Sequence, residues 1–413
     1  MLMKRRTILK QVGAAVLGTI ANGGSAMAEP ASANAPSGLP MALAPYLQHP
    51  AADGMTVCFL ARDASGVRVR WSVADGKPSE TDATGVAIPG SPWTRWSARI
   101  AGLKPGAAVS YEVLYQSGGE NSSTPANRFK TLDPAAPGVR FAVFNDIHDQ
   151  RATITALCRH FKPEDCDFVV FNGDMFNDPS AADGARKLFE LWDFYIRLLG
   201  GGSRPILFVR GNHETRGSFK GRLNHIFQSP DLTSDQPPAE QLWRFDLTAG
   251  PAYLVFMDTG EDDGPETPED SYKAPKFWQA YRQRDAAWLR DRLAAKPWGD
   301  RPWRIFVSHI PLHNPAGWFS IGSHDAWLPS LREAGISLML AGHDHAWKVL
   351  PAGKEFAIAG KNGATDRPDC PVLIGGGPSM KEGTVILVSA TRAKLTARMF
   401  DTSGKQLHEC SAP

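Results

Sequence analysis

Cysteine is scarce in this 413-residue chain, and the five present, Cys58, Cys158, Cys166, Cys370 and Cys410, form no CxxC pair. A zinc ribbon or a dithiol redox site is therefore not supported. An oxidising compartment would permit a bridge such as Cys158–Cys166 or Cys370–Cys410, with at least one thiol left over because the count is odd. Long apolar runs are also missing: the stretch Val12 to Ile20 is too short to span a bilayer. Net charge is small, and the +2 of the whole chain becomes about −2 without the four cationic residues among the first 28. No basic field remains to recruit nucleic acid. Hydrophobic residues make up 42% of the chain, which is enough for globular cores, and the length argues for two domains.

Residues 1–28 read as a signal peptide. Lys4-Arg5-Arg6-Thr7-Ile8-Leu9-Lys10 precedes a mild apolar run, and Ala26-Met27-Ala28 supplies a small-residue cleavage site. Paired arginines ahead of a weakly apolar, glycine-containing core resemble a twin-arginine signal. That predicts the twin-arginine export machinery as a partner during secretion, and a periplasmic or secreted bacterial protein. Residues 29–40, rich in Ala, Pro, Ser and Gly, cannot bury a core and predict a disordered tail.

From 41 to 132, short runs such as "MTVCFLA", "VRVRWSV" and "VSYEVLY" recur between turn signals. Trp, Tyr and Val enrichment without a helical period predicts a small all-β sandwich of fibronectin or immunoglobulin type. "DPAAPG", Asp133 to Gly138, reads as a linker. From 139 to 413 strands alternate with helices, the latter over Ala152 to His160, Ala185 to Leu199 and about Lys276 to Ala295. Near-continuous apolar strands between helices predict sheets buried on both faces. The tail from Val372 to His408 returns to short strands, predicted to complete a second sheet.

Each apolar strand ends in a residue that can bind a cation. "FNDIH" delivers Asp146 and His148, "NGD" Asp174, "RGNHE" Asn212 and His213, "VSH" His309, and "AGHDH" His343 and His345. Carboxyl ends of strands in an open α/β sheet line one crevice, so these side chains should converge. Imidazoles and carboxylates gathered there would carry desolvation and like-charge costs that divalent cations remove. Nitrogen and oxygen donors without thiolate suit manganese, iron or zinc, and the supply of ligands exceeds what one ion needs.

The blocks D-x-H, G-D, G-N-H-E, a lone His after a strand and G-H-x-H, in that order, resemble the calcineurin-like metallophosphoesterase superfamily. The resemblance covers roughly 139–347. It implies a four-layer α/β domain of two β-sheets flanked by helices. It also implies two divalent or trivalent metal ions (Mn, Fe or Zn): Asp146, His148 and His345 on one, Asn212, His309 and His343 on the other, and Asp174 bridging. Hydrolysis of phosphate mono- or diesters by metal-bridged hydroxide would follow, on a small phosphate ester substrate. His213 would face the substrate as general acid; its orienting partner stays open, because the place where protein phosphatases of the superfamily put an aspartate is Asn177 here, with Asp178, a catalytic candidate, one residue further on. Arg216 would hold a phosphate oxygen. "APYLQHPAADGMTVCF" and "GLKPGAAVSYEV" resemble the fibronectin-like domain that precedes the catalytic domain in purple acid phosphatases. The tyrosine behind their colour is replaced here by Asn177, which implies a colourless enzyme.

Other stretches admit two readings each. His313 to Trp327 is either a rim gripping the organic part of a substrate, through His313, Trp318, Phe319 and His324, or a loop packed on the sandwich. Substrate contacts beyond Asn212 and His213 would then be His313 and Trp318. Asp149 and Asp344 are expected to orient neighbouring imidazoles or to lie exposed. Glu261 to Asp270 reads as a solvated acidic loop. "LIGGGPS" lacks the lysine of a P-loop and reads as a tight turn. Two further functions are compatible with the motifs: a diesterase acting on nucleotides or phospholipid head groups, and a cell-envelope binding protein whose metal site is vestigial.

Overall fold

A computed structural model describes residues 42–74, 76–228, 241, 243–261, 275–315, 321–358 and 363–412. The expected signal and tail, together with Trp318 and Phe319, lie outside the described residues. No helix among them is long and apolar enough to cross a membrane.

The sheet-rich front module comprises β1 (Tyr46–Ala51), β2 (Gly54–Ala61), β3 (Ala64–Val73), β4 (Ser79–Asp82), β5 (Thr84–Ala87), β6 (Thr94–Ile100), β7 (Ala108–Ser117), β8 (Glu120–Ser123) and β9 (Asn127–Lys130). They form two sheets, β1-β2-β6-β5 and β4-β3-β7-β8, with β9 also on β7. All pairings are antiparallel. Strand β2 is buried along its whole length because each face meets a different core. Val57 and Phe59 turn toward Val69, Tyr111 and Val113 of the opposite sheet. Cys58 and Leu60, on the alternate face, join the core of the body that follows. That is the two-residue period of a strand read against two cores.

The body begins with β10 (Gly138–Phe144), α1 (Arg151–Cys158), β11 (Phe168–Asn172), α2 (Arg186–Leu199), β12 (Ile206–Val209), β13 (Arg244–Ala249) and β14 (Ala252–Met257). It continues with α3 (Pro275–Ala294), β15 (Trp303–Ser308), α4 (Ile321–Ala334), β16 (Leu338–Ala341), β17 (Lys348–Leu350), β18 (Phe356–Ala357) and β19 (Thr365–Asp366). Strands β20 (Val372–Ile374), β21 (Thr384–Thr391), β22 (Leu395–Asp401) and β23 (Gln406–Ala412) complete it. Two six-stranded sheets, β12-β11-β10-β21-β22-β23 and β13-β14-β15-β16-β20-β17, face each other. Phe141, Val143, Ile305 and Val307 fill the space between them. Outside the first sheet, Ala142 and Phe144 meet α1 and α2; outside the second, Phe306 meets α3 and α4. Helix α2 shows why this works: Leu188, Phe189, Leu191, Trp192, Tyr195, Ile196 and Leu199 are buried at helical spacing, and Gly200 closes it with φ +64.

Several elements differ from the expectation. Only β20 of the tail joins the second sheet; β21 pairs antiparallel with β10 and extends the first. The segment read as irregular up to Trp327 enters α4 at Ile321, despite Gly322 and Pro329 within it. All five cysteines are free. Nor is 133–138 a free tether. Tyr46 stacks edge-on against Trp192 at 5.1 Å and donates its hydroxyl to the carbonyl of Ile226 at 2.7 Å, while Tyr111 donates to Gly202 at 2.7 Å. Each large apolar side chain so buried contributes about 1.5–3 kcal/mol.

Candidate metal centre

The parallel strands β10, β11, β14, β15 and β16 stop on one edge of the body, and the loops that follow turn sharply. Asp146, His148, Asp174, His343 and His345 all have positive φ, between 44° and 77°. Non-glycine residues rarely adopt this left-handed backbone, and its concentration at one place marks a site that the surrounding hydrogen bonds hold in shape. Asp146 N donates to the Gly173 carbonyl at 3.0 Å and His148 N to the Asp174 carbonyl at 2.8 Å. The glycines of the blocks are spacers. A Cβ on Gly173 would collide with the His309 ring, and one on Gly211 with the Asp174 carboxylate.

Two groups of potential ligands result, Asp146, His148, Asp174 and His345, and Asp174, His309 and His343. Asp174 belongs to both. Its Oδ2 lies 3.5 Å from Nε2 of His148 and 3.2 Å from Nε2 of His309. Asp146 Oδ1 lies 3.5 Å from Nε2 of His345. The two imidazoles of the first group approach each other at 2.9 Å, Nε2 to Nε2. The oxygen of Asn212, turned inward, faces Nε2 of His309 at 3.2 Å and Nδ1 of His343 at 3.0 Å. Turned outward, it would instead accept from Nη2 of Arg216 at 2.8 Å. A cation selects the first orientation, since it needs the oxygen; a bare site favours the second.

The donor set fits metal ions on two independent observations. Asp146 Oδ1 is buried and accepts no hydrogen bond. A buried carboxylate oxygen in that state is costly unless a cation faces it. Nδ1 of His309 lies 2.8 Å from the Asn172 carbonyl, so it carries the proton, leaving the lone pair of Nε2 aimed at Asp174 and Asn212. An imidazole fixed from behind in this way is the usual presentation of a metal-binding histidine.

Protonation follows the same geometry. Burial alone would depress His309, but Asp174 and Asp146 more than reverse this and raise it to about 10. Burial works to raise both carboxylates, yet His309 and the neighbouring donors hold them below the ordinary range.

The cluster opens to solvent beside His345, 42% exposed, and His213, 22% exposed. Nδ1 of His213 pairs with Asp178 Oδ1 at 2.8 Å. Asp178 reaches it through a left-handed backbone, φ +47. Asn177 is turned instead toward Nδ1 of His148, at 3.4 Å.

Residues 139–347 match the calcineurin-like phosphoesterase family model. The chain belongs to the calcineurin-like phosphoesterase family. Purple acid phosphatase 17 of Arabidopsis thaliana is 29% identical over 196 residues, 44% of this chain, and the match spans about half (53%) of that relative. Among solved structures, a purple acid phosphatase from yellow lupin (Lupinus luteus) seeds superposes with a TM-score of 0.66 at 14% identity, covering 89% of this chain and 73% of that one. PhoD superposes with a TM-score of 0.61 at 12% identity, over 92% and 90%. At such identities these two show a shared fold.

Within this family member, Glu214 is a residue whose part the sequence reading overlooked. Fully buried, it accepts hydrogen bonds from the backbone N–H groups of Asp174 at 2.8 Å, Phe176 at 2.9 Å and Gly211 at 2.7 Å. It ties the two loops that carry Asp174 and Asn212. Burial, followed by the charge of Asp174, pushes its carboxyl up to about 7. The final E of G-N-H-E was the available signal.

Other expectations need correction. Arg216 was expected to hold phosphate, but its guanidinium is paired with buried Glu261 and lies 3.2 Å from Nε2 of His213. Glu261 is therefore no solvated acid, because its charge is matched by that guanidinium in a buried setting; 262–270 lie outside the described residues. Asp149 and Asp344 contact lysines, Lys187 and Lys348, at 2.6 Å each, rather than imidazoles. His313 was expected at a substrate rim, yet it is wholly buried on Asp366.

The raised His309 gives a prediction with a definite sign. Its proton stabilises the bare fold fully below the ordinary histidine value of 6.5, and that contribution is lost as pH climbs toward about 10. A cation must displace the same proton. The increase in melting temperature on adding Mn²⁺ should therefore grow from about pH 6 to about pH 9, as read by scanning fluorimetry. A constant increase would contradict this assignment.

Proposed function

We propose that the protein is an exported two-metal phosphoesterase acting on phosphate mono- or diesters. The observation that carries this reading is the convergence of two ligand groups on Asp174, with the unpaired Asp146 oxygen and the His309 lone pair directed into them. Asp146, His148 and His345 would hold one ion, Asn212, His309 and His343 the other, and Asp174 both. Such an ion pair, when bound, supplies Lewis acidity to a phosphoryl group and makes an attacking water acidic. The export part rests on the paired arginines and apolar run of the first 28 residues.

The chain's own contribution is orientation and proton transfer. His213 sits at the open side of the cluster with Nδ1 bound to Asp178 and Nε2 3.2 Å from Nη1 of Arg216, a contact that a leaving group would have to replace to meet Nε2. Arg216, held by Glu261, backs that ring and adds positive charge beside it. Burial, together with Arg216 and His148 and against the pull of Asp174, keeps His213 below the ordinary histidine range. A proton on Nε2 is therefore held on the acidic side of neutrality, and activity that needs it should decline as pH rises. His213→Ala should lower kcat by about 100- to 1,000-fold with bound metal unchanged. Asp178→Asn should cost about tenfold, and the double variant should be no worse than His213→Ala alone, because Asp178 acts through the ring. Additive losses would separate the two residues.

The reading as a whole is tested by hydrolysis of p-nitrophenyl phosphate and bis-p-nitrophenyl phosphate with added Mn²⁺. Turnover of either, lost on chelation and restored by the metal, is the expected result. Inertness toward both across Mn²⁺, Zn²⁺ and Fe²⁺ would overturn it.

A further inference from the structure

A second grouping of metal-binding side chains lies apart from the Asp174 cluster: His313 in the loop after β15, His324 in the first turn of α4, and Asp366 at the end of β19. We propose that these three residues form a third cation site, separate from the binuclear centre, that takes a divalent transition ion of the zinc class.

The argument starts from Asp366. Its Oδ1 accepts from the backbone N–H of Arg367 at 2.7 Å, and its Oδ2 faces both imidazoles. Nδ1 of His313 lies 2.6 Å from Oδ2 and Nε2 of His324 lies 3.3 Å from it. The other nitrogen of His324, Nδ1, is 2.9 Å from Asp325 Oδ1, so Nδ1 carries the proton and Nε2 keeps its lone pair. In that tautomer a lone pair faces a carboxylate oxygen at 3.3 Å. This is the arrangement seen at His309 and Asp174, and it is repulsive unless a cation or a second proton lies between the two atoms.

The setting is enclosed around His313 and Asp366 and opens at His324, 26% exposed. His313 is fully buried, its Nε2 has no partner, and the Asp366 side chain is only 8% exposed. A surface ion pair would look different, because solvent would satisfy both imidazoles. Two nitrogens and one oxygen without sulfur match the three-ligand set of a zinc site that keeps one position open.

The location gives the site a task. It would fasten three separate segments, the loop after β15, α4 and the β18–β19 hairpin. Asn314, next to His313, donates to Asp344 Oδ1 at 3.1 Å, and Asp344 stands between His343 and His345. A cation here would brace the loop beside the binuclear centre without touching substrate.

The test counts ions. Full-length protein is stripped with chelator, reloaded with Zn²⁺, desalted and analysed by mass spectrometry for zinc per chain. Wild type should hold three ions, and Asp366→Ala and His324→Ala two each. His324→Ala changes a side chain on a helix surface and decides the matter if Asp366→Ala fails to fold. Two ions in wild type and in both variants would overturn the third site while leaving the binuclear reading intact. One ion in wild type and none in the variants would support the third site and remove the binuclear one.

Discussion

In Asp174→Asn, hydrolysis of p-nitrophenyl phosphate is expected to fall by at least about a thousandfold, equivalent to about 4 kcal/mol of transition-state stabilisation. Metal bound at the Asp174 centre should drop from two ions to one or none. The substitution keeps the volume of the side chain and removes its charge. Oδ2 lies between the two halves of the site, 3.5 Å from His148 and 3.2 Å from His309, while Oδ1 accepts from the His213 backbone at 2.8 Å. An amide in that place offers one oxygen at most and sets an NH₂ group against cations or imidazoles that need an acceptor. Parallel metal analysis and kinetics check the result. A variant that keeps both ions of that centre and a tenth of the activity would show that Asp174 does not bridge.

Glu214→Ala should cost the metal-free protein about 3–6 kcal/mol, because three buried N–H groups lose their acceptor at about 1–3 kcal/mol each, partly offset by local relaxation. Against a total stability of about 5–15 kcal/mol, such a loss leaves the fold marginal. Glu214→Gln should fall between this variant and wild type: one oxygen still accepts, but its NH₂ opposes an N–H of Asp174, Phe176 or Gly211. Urea denaturation in the presence of a chelator reads both values free of metal linkage. A loss below about 1 kcal/mol for Glu214→Ala would mean that water or a shifted loop replaces the carboxylate.

The positions of Asp146, His148, Asp174, Asn212, His309, His343 and His345 were legible because each follows an apolar strand, and parallel strands must end on a common edge. What was not legible depends on contacts between distant segments. Arg216 and Glu261 are 45 residues apart, with no local pattern to link them. Asp366 stands in a short hairpin without hydrophobic period, so nothing nearby announces its two imidazole partners. Pairing of β21 with β10 is likewise a tertiary choice, as the alternation along either strand would suit any neighbour. Helix α4 was obscured by Gly322 and Pro329, both poor helix formers whose cost is outweighed by burial of Trp327, Leu328 and Leu331.

Strand β2, with one face in each core, makes the front module and the two-sheet body halves of a single interlocked structure. The family-matched segment 139–347 stops short of β21, which is the direct neighbour of β10, and lacks the aromatic rings of Tyr46 and Trp93 that cover Trp192 and Phe189. Excised at those limits it would present a raw sheet edge and an uncovered greasy helix to solvent. Shuffling of the front piece among relatives is thereby constrained, since any replacement must restore the shared interior on both sides of one strand.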